Sequence, residues 1–188
     1  PIFGAILIFI VNPPVAALNG GITNLLNSMG STSKVLLGLV LGGMMAIDMG
    51  GPFNKAAYVF GTASLATGNN DIMAAVMIGG MVPPLAIALA TTFFKNKFTS
   101  RERQSGITNY IMGISFITEG AIPFAAADPL RVIPSCVIGS AVAGGLSMFF
   151  GCQTIAPHGG LFVVPVMTNP FMFVVPLIIG ALVGMFLL

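Results

Sequence analysis

The stretch Gly113-Ile114-Ser115-Phe116-Ile117-Thr118-Glu119-Gly120-Ala121-Ile122-Pro123-Phe124 decides how this chain is read. One carboxylate stands in an otherwise apolar segment, flanked by the small and helix-breaking residues Gly113, Gly120 and Pro123. An ionised side chain in hydrocarbon costs about 2.5–3.5 kcal/mol or more, so it must face protein or water, and by default it marks a functional position. The chain is therefore expected to fold around Glu119 and around a second polar point, Pro157-His158-Gly159-Gly160.

The rest of the composition says what solvent surrounds that carboxylate. Of 188 residues, 56% are hydrophobic and only 6% charged, and the mean hydropathy is +1.00. Soluble domains carry about 25% charged residues. A fold of this size cannot hide so much apolar surface, so the surroundings are a lipid bilayer. A dispersed net charge of +2 gives no footprint for nucleic acid. The chain opens at Pro1 with no basic region before an apolar run, so neither a signal peptide nor a soluble domain is expected. Cys136 and Cys152 lie in apolar or glycine-rich surroundings and read as buried thiols. Trp is absent, so an aromatic belt falls to Tyr58, Tyr110 and the Phe residues.

Outward from the Glu119 stretch, the apolar runs order themselves. Ile2–Leu18 is broken by Asn12-Pro13-Pro14, and Asn19–Ser33 is polar and small. Val35–Ile47 is a clean apolar run ending in Asp48-Met49-Gly50-Gly51-Pro52. Lys55–Gly68 is rich in small residues. Ile72–Phe94 is the best span: at about 1.5 Å per residue it is long enough for a core of about 30 Å, with a kink expected at Pro83-Pro84. The basic cluster Lys95–Arg103 follows and should face the cytoplasm.

That orientation makes Val35–Ile47 run outward from a cytoplasmic Lys34. Ile107–Phe124 is too broken for a simple span, and Arg131 just beyond it again prefers the inside, so a re-entrant hairpin from the cytoplasm is expected. Ile133–Phe150 then crosses outward, Gly151–Val166 forms a second re-entrant element from outside, and Phe171–Leu188 returns. The fold class is thus all-α integral membrane, a multi-span helical bundle with two re-entrant hairpins meeting near the midplane at the substrate site. Irregular backbone at that depth needs protein or a wet cavity to satisfy it, and broken segments from both faces point to a transport site.

Two roles are open to Glu119. It can accept two hydroxyl hydrogen bonds at once, which suits a sugar, or take the proton from a hydroxyl under attack. The bland alternative is a carboxylate that ties the hairpin together through backbone N–H groups. His158, the only histidine, sits where glycines open the backbone, and reads as a binding residue over a structural one. With no carboxylate at ligand spacing it does not read as a metal ligand, and no cofactor is expected. Thr118, Gly159 and Asn54 complete the candidate binding set. Asp48 with Lys55 reads as an ion pair closing a helix at the outer interface, Asp128 with Arg131 as a structural pair on one helical face, and Asp71 as a helix-start anion only. No Walker-type loop, Arg ladder or potassium-filter run is present.

Phe116-Ile117-Thr118-Glu119-Gly120-Ala121-Ile122-Pro123-Phe124, Ala156-Pro157-His158-Gly159-Gly160 and Asp48-Met49-Gly50-Gly51-Pro52-Phe53-Asn54-Lys55 together resemble one family. It is the fructose-type permease component (enzyme IIC) of the bacterial phosphoenolpyruvate-dependent sugar phosphotransferase system. The likeness runs from about Pro13 onward and is to the C-terminal part of the permease domain. It implies sugar uptake across the cytoplasmic membrane coupled to phosphorylation. It also implies a fructose-like substrate, a cytoplasmic IIB partner carrying phosphocysteine, and a homodimer in the full-length protein. Glu119 would contact the sugar hydroxyls, with His158 beside it. An ion-coupled secondary transporter is the competing reading. A structural membrane subunit would keep polar residues at loop ends, and Glu119 contradicts that.

Overall fold

The computed structural model describes residues 34–188. The readings of Ile2–Leu18 and Asn19–Ser33 lie outside the described residues. The helices are α1 (Lys34–Ile47), α2 (Pro52–Ala66), α3 (Asn70–Phe93), α4 (Ser100–Ile114), α5 (Ile122–Ala127), α6 (Pro129–Phe149) and α7 (Pro170–Leu187). Short 3-10 turns form at Lys95–Lys97, Thr118–Ala121 and Gly160–Val166. Helices α3, α6 and α7 are long and apolar enough to cross a membrane; α1 is apolar but shorter. The protein is an all-α membrane fold.

Helix α3 is apolar on every side and buried along nearly all of its length, which makes it the central helix. Pro83 and Pro84 lie inside it without ending it. Proline has no N–H, so the carbonyls four residues back, those of Gly79 and Gly80, lose their usual donors. Both positions become docking points. Gly79 meets the Gly42 backbone of α1, and the Gly80 carbonyl accepts the Thr118 hydroxyl at 2.9 Å.

Helix α1 runs parallel to α3. Lys34 pairs with Asp71 at 2.7 Å where both helices begin, Gly42 touches Gly79, and the Met45 side chain reaches Gly80. This corrects the expected antiparallel arrangement: Lys34 marks the end opposite the basic cluster because Asp71 takes up its charge. Asp71 is accordingly more than a helix-start anion. Helix α1 stops at the level of the Pro pair and the chain turns back through Asp48–Gly51 into α2, whose Gly61 lies on Met73 and Val76 near the start of α3.

Helix α6 is antiparallel to α1 along a seam of small residues. A Cβ on Gly38 would overlap the Gly144 carbonyl, and one on Gly42 the Ser140 carbonyl. Such backbone contact is how helices associate where lipid offers no hydrophobic driving force. Helix α7 packs on α6 and α3 and ends beside Phe94, whose ring is 6.2 Å from that of Phe186.

Helix α4 starts at the basic end and runs antiparallel to α3, with Gly106 against Thr91 and Gly113 against Leu85. Its start is fixed by a capping box. The Thr99 hydroxyl accepts the Glu102 N–H at 3.3 Å, and the Glu102 carboxylate accepts the Thr99 N–H at 2.7 Å. Hydrogen bonds from the Thr99 hydroxyl and then its backbone N–H hold the Glu102 carboxyl below its ordinary value of 4.5. A lowered carboxyl value means that this contribution is present at neutral pH. It is lost as pH falls below 4.5 and through the lowered value. Thr99→Ala is expected to cost about 0.5–2 kcal/mol of helix stability, read as a lower thermal midpoint in detergent.

Candidate functional site

Three turning segments meet beside the Gly80–Pro84 part of α3. The first is the α1–α2 turn. Asp48 does not pair with Lys55. Its carboxylate instead accepts the Phe53 N–H at 2.7 Å and the Asn54 N–H at 3.0 Å, two orphan donors of the first turn of α2. The Asn54 amide donates to the Met45 carbonyl at 2.8 Å, closing the end of α1. The expected outer-interface ion pair is thus a turn brace, placed by its neighbours at the level of the Pro pair. It is braced there because the first N–H groups of α2 have no partner within their own helix and Asp48 is the nearest acceptor.

The second segment links α4 to α5. Helix α4 ends in a left-handed residue, Phe116 at φ 64°, with Phe116 N–H to Gly113 O at 3.2 Å and Ile117 N–H to Met112 O at 2.9 Å. This is the paired-bond helix stop that normally carries glycine at that position. A phenylalanine there costs about 1–2 kcal/mol of backbone strain, which its buried ring offsets. The ring lies so close to Gly80 that a Cβ there would overlap it. Thr118 is then buried on the Gly80 carbonyl, and Glu119 follows at the tip. The Glu119 side chain is exposed and lies over Gly50: a Cβ on Gly50 would sit 3.0 Å from Oε1. Among the described residues Glu119 accepts no hydrogen bond and has no cation within ion-pair distance. It is therefore not the backbone tie of the bland reading.

The third segment leaves the Lys34–Asp71 end, where Thr154 N–H reaches Asn70 O at 3.2 Å and Gln153 bridges Thr168. Between those anchors the chain descends to Gly160. A Cβ on Gly160 would collide with the Ile114 carbonyl and lie 2.9 Å from Phe116 N, and Gly159 and Gly160 have φ of 124° and 59°. Two glycines are needed here, one for the turn and one for backbone contact. His158 is exposed, and its ring stands 4.9 Å from that of Phe116 and 6.5 Å edge-on from that of Tyr58.

Thr118, Glu119 and the Asp48–Asn54 turn are thus joined directly, and His158 joins them through Phe116. Glu119 and His158 make no contact of ion-pair length. Sequence reasoning missed Phe116, Tyr58 and Gly80 as parts of the site. The signal for Gly80 was available in Pro84 four residues on. Asp128 and Arg131 pair loosely at 3.7 Å, and Cys136 and Cys152 are buried free thiols, both as expected.

A cleft of about 240 Å³ opens beside Glu119, lined also by Ser105, Thr108, Asn109 and Phe124. A carboxylate, two hydroxyls and an amide set among Met112, Pro123 and Phe124 give polar groups and an apolar wall to a neutral polyhydroxylated ligand.

The family profile described as "Phosphotransferase system, EIIC" matches residues 1–139. The chain is 59% identical over 182 residues to the PTS system fructose-specific EIIABC component of Bacillus subtilis (strain 168), covering 97% of this chain and 29% of that protein. It is 58% identical over 182 residues to the fructose permease IIC component of Bacillus amyloliquefaciens, covering 97% and 60%. It is 49% identical over 179 residues to the PTS system fructose-specific EIIC component of Haloferax volcanii, covering 95% and 48%. The chain thus spans between under a third and three-fifths of the length of these relatives. No solved structure matches it. With most of its length matched by the profile, the chain belongs to the phosphotransferase system EIIC family of membrane permeases.

Proposed function

We propose that this chain is the C-terminal, substrate-binding part of a permease that takes up fructose or a closely related sugar and presents it for phosphorylation. The observation that carries this reading is the unpaired Glu119 carboxylate at the tip of a turning segment, lining a recess, with His158 packed on Phe116 of the same segment. The fructose named for the relatives supports the choice of sugar.

In this reading the basic end is cytoplasmic, and the chain crosses the cell's cytoplasmic membrane several times. The α4–α5 segment is then a re-entrant hairpin from inside, and the segment around His158 one from outside. The α1–α2 turn is a third, also from outside. Sugar hydroxyls donate to the two Glu119 oxygens, Thr118 holds the tip on α3, and His158 with Gly159 closes the far wall. Asn54 acts by bracing the turn beneath Glu119. A phosphorylated IIB domain, fused or separate, docks at the basic end. Its S–P bond breaks as the sugar oxygen bonds phosphorus, and Glu119 takes the hydroxyl proton. The longer protein is a homodimer.

Membrane vesicles loaded with the phosphorylated IIB partner and given labelled fructose test this. Fructose phosphate should accumulate inside, only with that partner, and a protonophore should not prevent it. Unmodified fructose accumulating in a protonophore-sensitive way would mean an ion-coupled transporter instead. His158→Ala should weaken fructose binding about two- to tenfold, the value of one neutral hydrogen bond of 0.5–1.5 kcal/mol, without loss of membrane insertion. Unchanged binding would return His158 to a packing role on Phe116.

A further inference from the structure

Asn109 is fully buried on the face of α4 that looks at the hairpin tip, and its Nδ2 has no hydrogen-bond partner among the described residues. A buried amide left unmade costs free energy, and native folds keep such groups for a reason. Its Oδ1 lies against Gly120, the residue after Glu119, so closely that a Cβ on Gly120 would overlap it. Asn109 and Glu119 line the same cleft, with the Ser105 and Thr108 hydroxyls along its wall.

From this juxtaposition we infer that Asn109 is a second sugar-binding residue, which holds the same ligand hydroxyl as Glu119. The inference rests on the sugar-binding reading of the cleft. A hydroxyl has one proton and two lone pairs. It donates to the Glu119 carboxylate and accepts from the Asn109 amide, and neither group alone satisfies it. The pairing also discriminates. A deoxy or fluorinated analogue at that hydroxyl leaves a buried donor or acceptor unmade, which sites built on hydrogen bonds reject strongly.

The test is Asn109→Leu in the detergent-solubilised protein, with labelled D-fructose binding and thermal midpoint measured together. Leucine keeps the branching and heavy-atom count of asparagine and removes the orphan donor. Fructose affinity should fall about tenfold or more while the midpoint stays level or rises. A structural asparagine would give the reverse, a lower midpoint with affinity kept, and that result overturns the inference. Wild-type affinity in Asn109→Leu overturns it as well. A wild-type protein that binds no fructose sinks the sugar-binding reading first, and this inference with it. Asn109→Gln supplies the check against misfolding: part of the affinity should return with the amide, and a variant that folds as wild type yet binds as the leucine variant does counts against the role.

Discussion

Glu119→Gln is expected to lower fructose affinity about ten- to a hundredfold while leaving the fold and membrane insertion intact. The carboxylate is not bonded to anything among the described residues, so its removal strands no partner. Its loss acts on the ligand alone. A hydrogen bond to a charged group is worth about 1.5–3 kcal/mol, and a neutral amide keeps only part of that. The amide also cannot take a proton, so phosphorylation in the vesicle assay should fall further than binding does. Equilibrium binding of labelled fructose beside the rate of fructose phosphate formation checks both. Equal losses in the two would make Glu119 a ligand and not a base. No loss in either would remove it from the site.

Gly160→Val should abolish uptake through geometry, with no change of charge. The residue sits at φ 59°, and a Cβ on it would collide with the Ile114 carbonyl and crowd Phe116 N. A β-branched side chain meets two costs, about 1–2 kcal/mol for the left-handed backbone and about 1–3 kcal/mol for overpacking. The loop is tied at its base by the Gln153–Thr168 bridge, the Thr154 bond to Asn70 and the Cys152 bond to Met172, so its exposed Pro157-His158 tip is expected to lift away before the bundle unfolds. His158 then leaves the Phe116 ring. Uptake should be lost with a nearly unchanged thermal midpoint. A large drop in midpoint would show that this loop is instead integral to the core.

Much of this was legible in the residues, for definite physical reasons. A carboxylate among apolar residues has few places to go, so Glu119 announced itself. The spans of α3, α6 and α7 followed from length and hydropathy. The direction of α1 was not legible, because Lys34 reads as a cytoplasmic charge until Asp71 is seen beside it. Asp48 was misread for a related reason. An acid near a lysine suggests an ion pair, but two unpaired N–H groups at the start of α2 lay closer. Phe116 could not be found from sequence, since its role depends on a left-handed backbone that phenylalanine rarely adopts. The helix continues through Pro83-Pro84, where a kink is expected, and only the fold shows that Gly79 and the carbonyl of Gly80 receive α1 and Thr118.

The proposed site needs an acid and an imidazole both open to water at mid-depth, on segments that arrive from opposite ends of α3. Spin labels placed singly by Glu119→Cys and His158→Cys, with the two buried native thiols replaced, measure that by power saturation in a bilayer. Both labels should collide more with a water-soluble nickel chelate than with oxygen, although α3 residues at the same level are shielded from both. Oxygen-dominated relaxation at either position, or depths that put the two labels at different membrane surfaces, would contradict it.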